Sequence, residues 1–205
     1  MDRKTFFRLF GEFPPHDLQE LHAAYWIGKR AHGDQMSDDG ERYFNHPRNV
    51  CVRLLSIGVR DIPTLVLAIL HDTLEDTFVP PSIIVKVCGA SVWNDLCLLS
   101  KELPSIDPIS GRIIGKTKKP SSDDYYRPIA EGPERVRLVK CADRLDNLQV
   151  DGMRRARELK GKWQPERVAR YLVETETYVI PIAEATSQIL TIQLKEAMEA
   201  CQMLL

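Results

Sequence analysis

Histidine is scarce in this 205-residue chain, with five in all: His16, His22, His32, His46 and His71. A centre built on imidazole therefore has few donors to draw on. The five cysteines, an odd number, contain no CxxC pair. That argues against a disulfide framework and against a thiolate zinc site. Cys51, Cys88, Cys97, Cys141 and Cys201 sit mostly among apolar residues and read as small core residues in a reducing compartment. Neither sign of charge dominates: 28 Lys and Arg face 29 Asp and Glu, for a net charge of -1, which argues against a nucleic-acid-binding surface as the main feature. No apolar run approaches the roughly 18 residues of a membrane span, and the opening MDRKTFFRLFGEF lacks a signal-peptide core. The expectation is a soluble cytoplasmic protein with no membrane or nucleic-acid partner, of open oligomeric state, folded as one domain over residues 1–205.

Also lacking are sustained period-2 alternation and any Asn-Gly or Asp-Gly hairpin between apolar strands. What is present instead is helical spacing, and the predicted class is all-α. Residues 1–15 read as a short lead-in ending at Pro14-Pro15. Asp17 is a candidate cap for a helix running to about His32, with Leu18, Leu21, Ala24, Tyr25 and Ile27 at helical spacing. A polar loop follows over 33–41, and a helix starts at Asn45-His46-Pro47 and ends near Gly58. Asp61 opens the next helix, which Val79-Pro80-Pro81 breaks. Two helices are predicted over 82–87 and 90–101, separated by Cys88-Gly89. Residues 103–122, rich in Pro, Gly and basic residues, read as a solvated, mobile connection. Helical pattern resumes over 123–130, from Glu134 to about Leu148, from Pro165 towards Ala185 with a bend at Pro181, and over 187–203.

The stretch Leu67–Val79, LAILHDTLEDTFV, is the most informative. An apolar run leads into His71-Asp72, and Glu75-Asp76 follow one turn later. At about 100° per residue, Glu75 falls near His71 and Asp76 near Asp72, so all four can face one cleft. His and Asp suit a divalent metal, and the next carboxylates suit acid/base work on water. A solvated helix end is the alternative, although acidic residues at a helix C-terminus oppose the macrodipole.

Further ligands have to come from elsewhere in the chain. His46 lies at a helix start, where a charged imidazole is disfavoured and a neutral, metal-bound one is not; a partly exposed capping histidine is the competing reading. Asp143 falls inside the apolar helix that contains Val136, Leu138, Val139, Ala142 and Leu145. A buried carboxylate needs a partner, which is either an ion pair with Lys140 or Arg144, or a metal. Together, His46, His71, Asp72 and Asp143 would make a mixed nitrogen and oxygen site. Such a donor set favours manganese or a similar first-row ion over thiolate zinc or all-oxygen calcium.

Three segments taken in order resemble the HD-domain metal phosphohydrolases, specifically the (p)ppGpp hydrolase domain of the RelA/SpoT alarmone enzymes. They are YFNHP over 43–47, AILHDTLEDT over 68–77 and VKCADRLDNL over 139–148. The similarity runs from about Ala24 to Leu148, and the chain looks like a stand-alone small alarmone hydrolase.

The resemblance implies an HD helical bundle with one Mn2+ on His46, His71, Asp72 and Asp143. Glu75 and Asp76 would handle water at the scissile phosphate, and Asn147 would contact the nucleotide; Lys140, Tyr43 and Ser37 are further candidate substrate contacts. The implied reaction removes the 3′-pyrophosphate of guanosine tetra- or pentaphosphate. Two departures stand out. Ser37-Asp38-Asp39 replaces a basic run that clasps the guanine nucleotide in the family, and Asp146 stands where the family often has His. Two acids in that loop are expected to repel a polyphosphate. Arg112, Lys116, Lys118 and Lys119 are a possible second source of cations, while Lys140 and Arg144 are expected to pair with carboxylates. The acidic loop favours one alternative, a phosphatase acting on another nucleotide such as a nicotinamide dinucleotide phosphate. A non-catalytic nucleotide sensor on the same scaffold is the other; the presence of all six metal and acid positions counts against it.

Overall fold

The computed structural model describes residues 1–108, 110 and 112–205. Among the described residues the fold is helical with one small two-stranded sheet. Its centre is α4 (Ile62–Leu70), where Leu65 through Leu70 are wholly buried. Asp61 caps α4, its side chain accepting hydrogen bonds from the Thr64 N–H at 3.0 Å and the Thr64 hydroxyl at 2.6 Å. A helix apolar on all sides is stable only when surrounded, and α4 packs against α2 (Pro15–His32), α3 (Asn45–Ser56), α6 (Pro81–Leu99) and α8 (Glu134–Asn147). Gly28 permits the close approach of α2, since a Cβ there would lie 2.8 Å from the Phe44 ring and 3.0 Å from the Ile69 carbonyl oxygen.

The N-terminal residues are not a lead-in. They form α1 (Arg3–Arg8), capped by Asp2, and Phe6 and Phe10 are fully buried. Asp17 is not the cap of α2; it lies in the first turn, after Pro14 as N-cap and Pro15 as first helical residue. The helix expected to run from Asp61 to Val79 is two helices, α4 and the short α5 (Thr73–Asp76). In α6, Gly89 at φ 86° and ψ 162° breaks the helix where the Cys88-Gly89 boundary was expected. By length and composition α6 matches a membrane span, with a mean hydropathy of 1.4 over a window that is 28% buried. That corrects the expectation that no segment is long and apolar enough.

The largest departure lies in residues 103–122. β1 (Glu102–Ile106) pairs antiparallel with β2 (Ile113–Lys118), from Glu102 opposite Lys118 to Ile106 opposite Ile113, with an irregularity between Ser105 and Ile106. β1 packs on α5. Lys119 Nζ donates to the Cys97 and Leu98 carbonyls at 3.1 and 2.9 Å, and Lys116 Nζ donates to the Glu75 carbonyl. Arg112 and Lys118 are exposed.

The remaining elements are α7 (Ser122–Glu131), α9 (Val150–Lys160), α10 (Pro165–Glu174), a π-helical turn (Thr175–Val179), α11 (Ile180–Glu184) and α12 (Gln188–Gln202). The bend expected at Pro181 falls at the π turn just before it. Pro181 has no N–H for the carbonyl four residues back, and the Ile180 N–H reaches the Thr175 carbonyl instead.

Candidate metal centre and its cleft

His71 sits at the C-cap of α4 and Asp72 at φ -92° and ψ -4°, in the turn between α4 and α5. Two hydrogen bonds hold this turn: His71 Nδ1 donates to the Ala68 carbonyl at 2.8 Å, and the Thr73 hydroxyl donates to the Leu70 carbonyl at 2.5 Å. His46 comes from the first turn of α3 and Asp143 from the buried face of α8. Three elements thus converge on one point. The helix break does not spoil the facing predicted from spacing, because His71, Asp72, Glu75 and Asp76 all line one cavity of about 190 Å³.

The two Nε2 atoms of His46 and His71 are 3.2 Å apart. His46 Nε2 lies 3.2 Å from Asp143 Oδ1 and 3.6 Å from Asp72 Oδ2. His71 Nε2 lies 3.2 Å from Asp72 Oδ2 and 3.7 Å from Asp143 Oδ1. Donors bonded to a common ion at about 2.1 Å and at right angles stand about 3 Å apart, so this spacing suits a single metal. His46, His71 and Asp143 form a group whose ligand atoms all lie within 4.8 Å of one another. The donor chemistry, neutral imidazole with carboxylate, also fits a divalent first-row ion.

Electrostatics point the same way. Burial pushes the His46 imidazole down, but hydrogen bonds to Asp143 and Asp146 and the charge of Asp72 reverse this and raise it to about 9. His71 is raised well above its usual value, against burial, chiefly by the charge of Asp72 and by the nearby Asp143 carboxylate. Burial works against ionisation of the two carboxylates, yet Asp72, through the charge of His71, and Asp143, through that of Lys140, are both held below their usual range. The pocket thus favours two positive charges at the imidazoles, a role that a dication would fill. Lys140 Nζ donates to Asp143 Oδ2 at 2.7 Å, and Asn147 Nδ2 donates to Asp143 Oδ1 at 2.6 Å.

Glu75 and Asp76 stand on the same wall. Burial raises the Glu75 carboxyl; the Lys101 N–H, donating to Glu75 Oε2 at 2.9 Å, opposes the rise, and Asp72 and Asp76 add to it. Burial, then the Asp72 charge, also raises Asp76. The Tyr43 hydroxyl lies 2.5 Å from Asp76 Oδ2 and 2.8 Å from Asp72 Oδ2. Sequence reasoning missed Lys101, Tyr125 and Tyr171, which line this cleft, and Glu174, which anchors Arg144 at 3.1 Å. The pairing expected for Lys140 and Arg144 is what the structure has. Arg144 is buried and also donates to the Tyr126 hydroxyl at 2.6 Å and the Thr175 hydroxyl at 2.9 Å.

Ser37 does not line this cleft. It lines a neighbouring cavity of about 530 Å³, to which Tyr43, His46 and Asn147 also contribute. The acids beside it have basic neighbours. Asp39 Oδ2 accepts from Arg155 at 3.1 Å, Asp38 lies 3.9 Å from Lys160 Nζ, and Lys160 donates to the Ser37 carbonyl at 3.1 Å. The expected uncompensated acidic loop is therefore a loop docked on basic α9, whose Arg and Lys were legible only as composition.

The helices ringing α4 and the His/Asp centre between α3, α4 and α8 define a helical HD-type domain. No protein-family model matches the chain. It is 37% identical over 146 residues to a guanosine-3′,5′-bis(diphosphate) 3′-pyrophosphohydrolase of Aquifex aeolicus (strain VF5), a match covering 70% of this chain and 19% of that protein. It is 30% identical over 171 residues to the bifunctional (p)ppGpp synthase/hydrolase RelA of Mycobacterium tuberculosis (strain ATCC 25618 / H37Rv), covering 83% of this chain and 21% of that one. The chain thus spans about a fifth of the length of these curated relatives. Its fold is similar to that of a metazoan ortholog of SpoT described as hydrolysing ppGpp and acting in starvation responses. The TM-score is 0.70 at 24% identity, over 91% of this chain and 97% of the other. Sequence and fold both fit a RelA/SpoT hydrolase-like domain.

Proposed function

We propose that this domain is a Mn2+-dependent pyrophosphohydrolase that removes the 3′-pyrophosphate of guanosine tetra- or pentaphosphate. The observation that carries this reading is the convergence of His46, His71, Asp72 and Asp143 in the cleft that Glu75 and Asp76 also line. Similarity to a relative named for this reaction supports the choice of substrate, and the mixed donor set supports manganese over thiolate zinc.

His46, His71, Asp72 and Asp143 would hold the ion, which when bound would supply positive charge at the phosphate and make water more acidic. Water oxygen bonds to the phosphorus on O3′, the P–O3′ bond breaks, pyrophosphate leaves, and a proton ends on O3′. Glu75 takes the proton from water, a task suited to a carboxyl raised by burial. Asp76, tied to Tyr43, orients the water. Lys101 offsets charge on the departing pyrophosphate, and Asn147 lies where the cleft meets the larger cavity, placed to meet the nucleoside.

A panel of nucleotides assayed with and without Mn2+ tests the proposal. Release of pyrophosphate from guanosine tetraphosphate, dependent on Mn2+, is expected. No release at high protein concentration overturns it, and phosphate release from a different nucleotide alone would transfer the same centre to another substrate.

A further inference from the structure

His46 and His71 turn their Nε2 atoms towards the same point, but their far nitrogens are held differently. His71 Nδ1 donates to the Ala68 carbonyl, inside its own helix. His46 Nδ1 donates at 2.8 Å to Asp146 Oδ2, from a helix 100 residues further along the chain. The other oxygen, Asp146 Oδ1, accepts from Arg53 Nε at 2.9 Å. Arg53 lies on α3 about two turns beyond His46, so the carboxylate is gripped at both ends by one helix. The Asp146 side chain is 8% exposed.

Joining α3 to α8 requires only the Arg53–Asp146 pair. Placement of the second oxygen on a ring nitrogen does something more. It fixes the tautomer, so that the Nδ1 proton points at Asp146 and the Nε2 lone pair faces the ion. It also locks the ring orientation and makes the imidazole a stronger donor. His71, bonded to a neutral carbonyl, receives orientation without that added charge.

We infer that Asp146 is a positioning residue of the metal centre: its carboxylate aims His46 Nε2 at the ion and raises metal affinity, while Arg53 holds the carboxylate in place. This rests on the reading of His46, His71, Asp72 and Asp143 as ligands.

The test is the Mn2+ dissociation constant of wild type, Asp146→Leu, Asp146→Asn and Arg53→Met, measured from the electron paramagnetic resonance of free Mn2+, with melting temperatures of the ion-free proteins alongside. Asp146→Leu should bind about 10- to 100-fold more weakly. Asp146→Asn, which keeps an acceptor oxygen but loses the charge, should fall between it and wild type. Arg53→Met, which breaks the helix link but keeps the carboxylate, should lose less than either. With Zn2+ as a diamagnetic probe, long-range nitrogen–proton spectra should place the His46 ring proton on Nδ1 in wild type. Wild-type affinity in both Asp146 variants overturns the inference, as does a loss in Arg53→Met equal to that in Asp146→Leu. Should Asp146→Leu not fold, Asp146→Asn against Arg53→Met decides on the same terms. Wild-type protein that binds no Mn2+ would instead overturn the ligand assignment itself.

Discussion

The Tyr43 hydroxyl and the Asp76 carboxylate lie 2.5 Å apart although 33 residues separate them in the chain. The same hydroxyl lies 2.8 Å from Asp72, so one phenol proton serves two carboxylates one turn apart. Burial and these two charges hold the phenol far above its usual range, and it stays protonated. Its ring stacks on His32, with centroids 4.9 Å apart. Tyr43→Phe keeps the ring and removes the proton. A hydrogen bond to a charged group contributes about 1.5–3 kcal/mol, so kcat should fall about 10-fold or more with metal content unchanged. Steady-state kinetics with metal analysis check this, and an unchanged kcat contradicts it.

Lys140 and Asp143 form a buried pair at 2.7 Å. Lys140→Met leaves the carboxylate without that cation. Breaking such a pair costs about 3–5 kcal/mol, which should appear as a large drop in the melting temperature of ion-free protein. Saturating Mn2+ should recover part of the loss, because it returns positive charge to the same carboxylate. A melting temperature equal to wild type would show that the pair contributes nothing.

The imidazoles set a pH dependence of defined sign. In the ion-free protein His46 is raised from 6.5 to about 9, and His71 is also raised. Protons on these rings stabilise the folded state. That contribution is complete below the unfolded value of 6.5 and is lost as pH rises through about 9. The melting temperature of ion-free protein should therefore fall across this window. Mn2+ bound as proposed would displace the protons, so its binding should tighten as pH rises and flatten the decline. A flat ion-free profile over the same window contradicts the assignment.

Most helix positions in the first half of the core and the centre of the site were legible in the sequence because both rest on local spacing. His71, Asp72, Glu75 and Asp76 lie within six residues, and the helical repeat places them on one side even though the helix breaks at Leu70. Asp143 was legible as a carboxylate in an apolar stripe. Relationships across long separations were not. Nothing local tells that Asp146 meets His46, that Lys101 offers its N–H to Glu75, or that Arg155 and Lys160 neutralise Asp39 and Asp38. The β1–β2 hairpin was missed because its strands contain Pro104 and Gly115 and bury no clean alternating face. Helix α1 was missed because its aromatics stand among charges in the sequence, whereas Phe6 packs across chain separation on the Tyr25 ring of α2, 5.4 Å away, and on Phe10, 5.0 Å away.

The division of labour between ligands and water-handling carboxylates is tested most directly by measuring bound Mn2+ and turnover of guanosine tetraphosphate in the same samples of Glu75→Gln and Asp143→Ala. Glu75→Gln should keep its metal and lose about 10²-fold or more in turnover, the range for lost acid/base help. Asp143→Ala should lose metal and turnover together. Full metal occupancy in Asp143→Ala, or near-normal turnover in Glu75→Gln, would contradict the roles assigned to them.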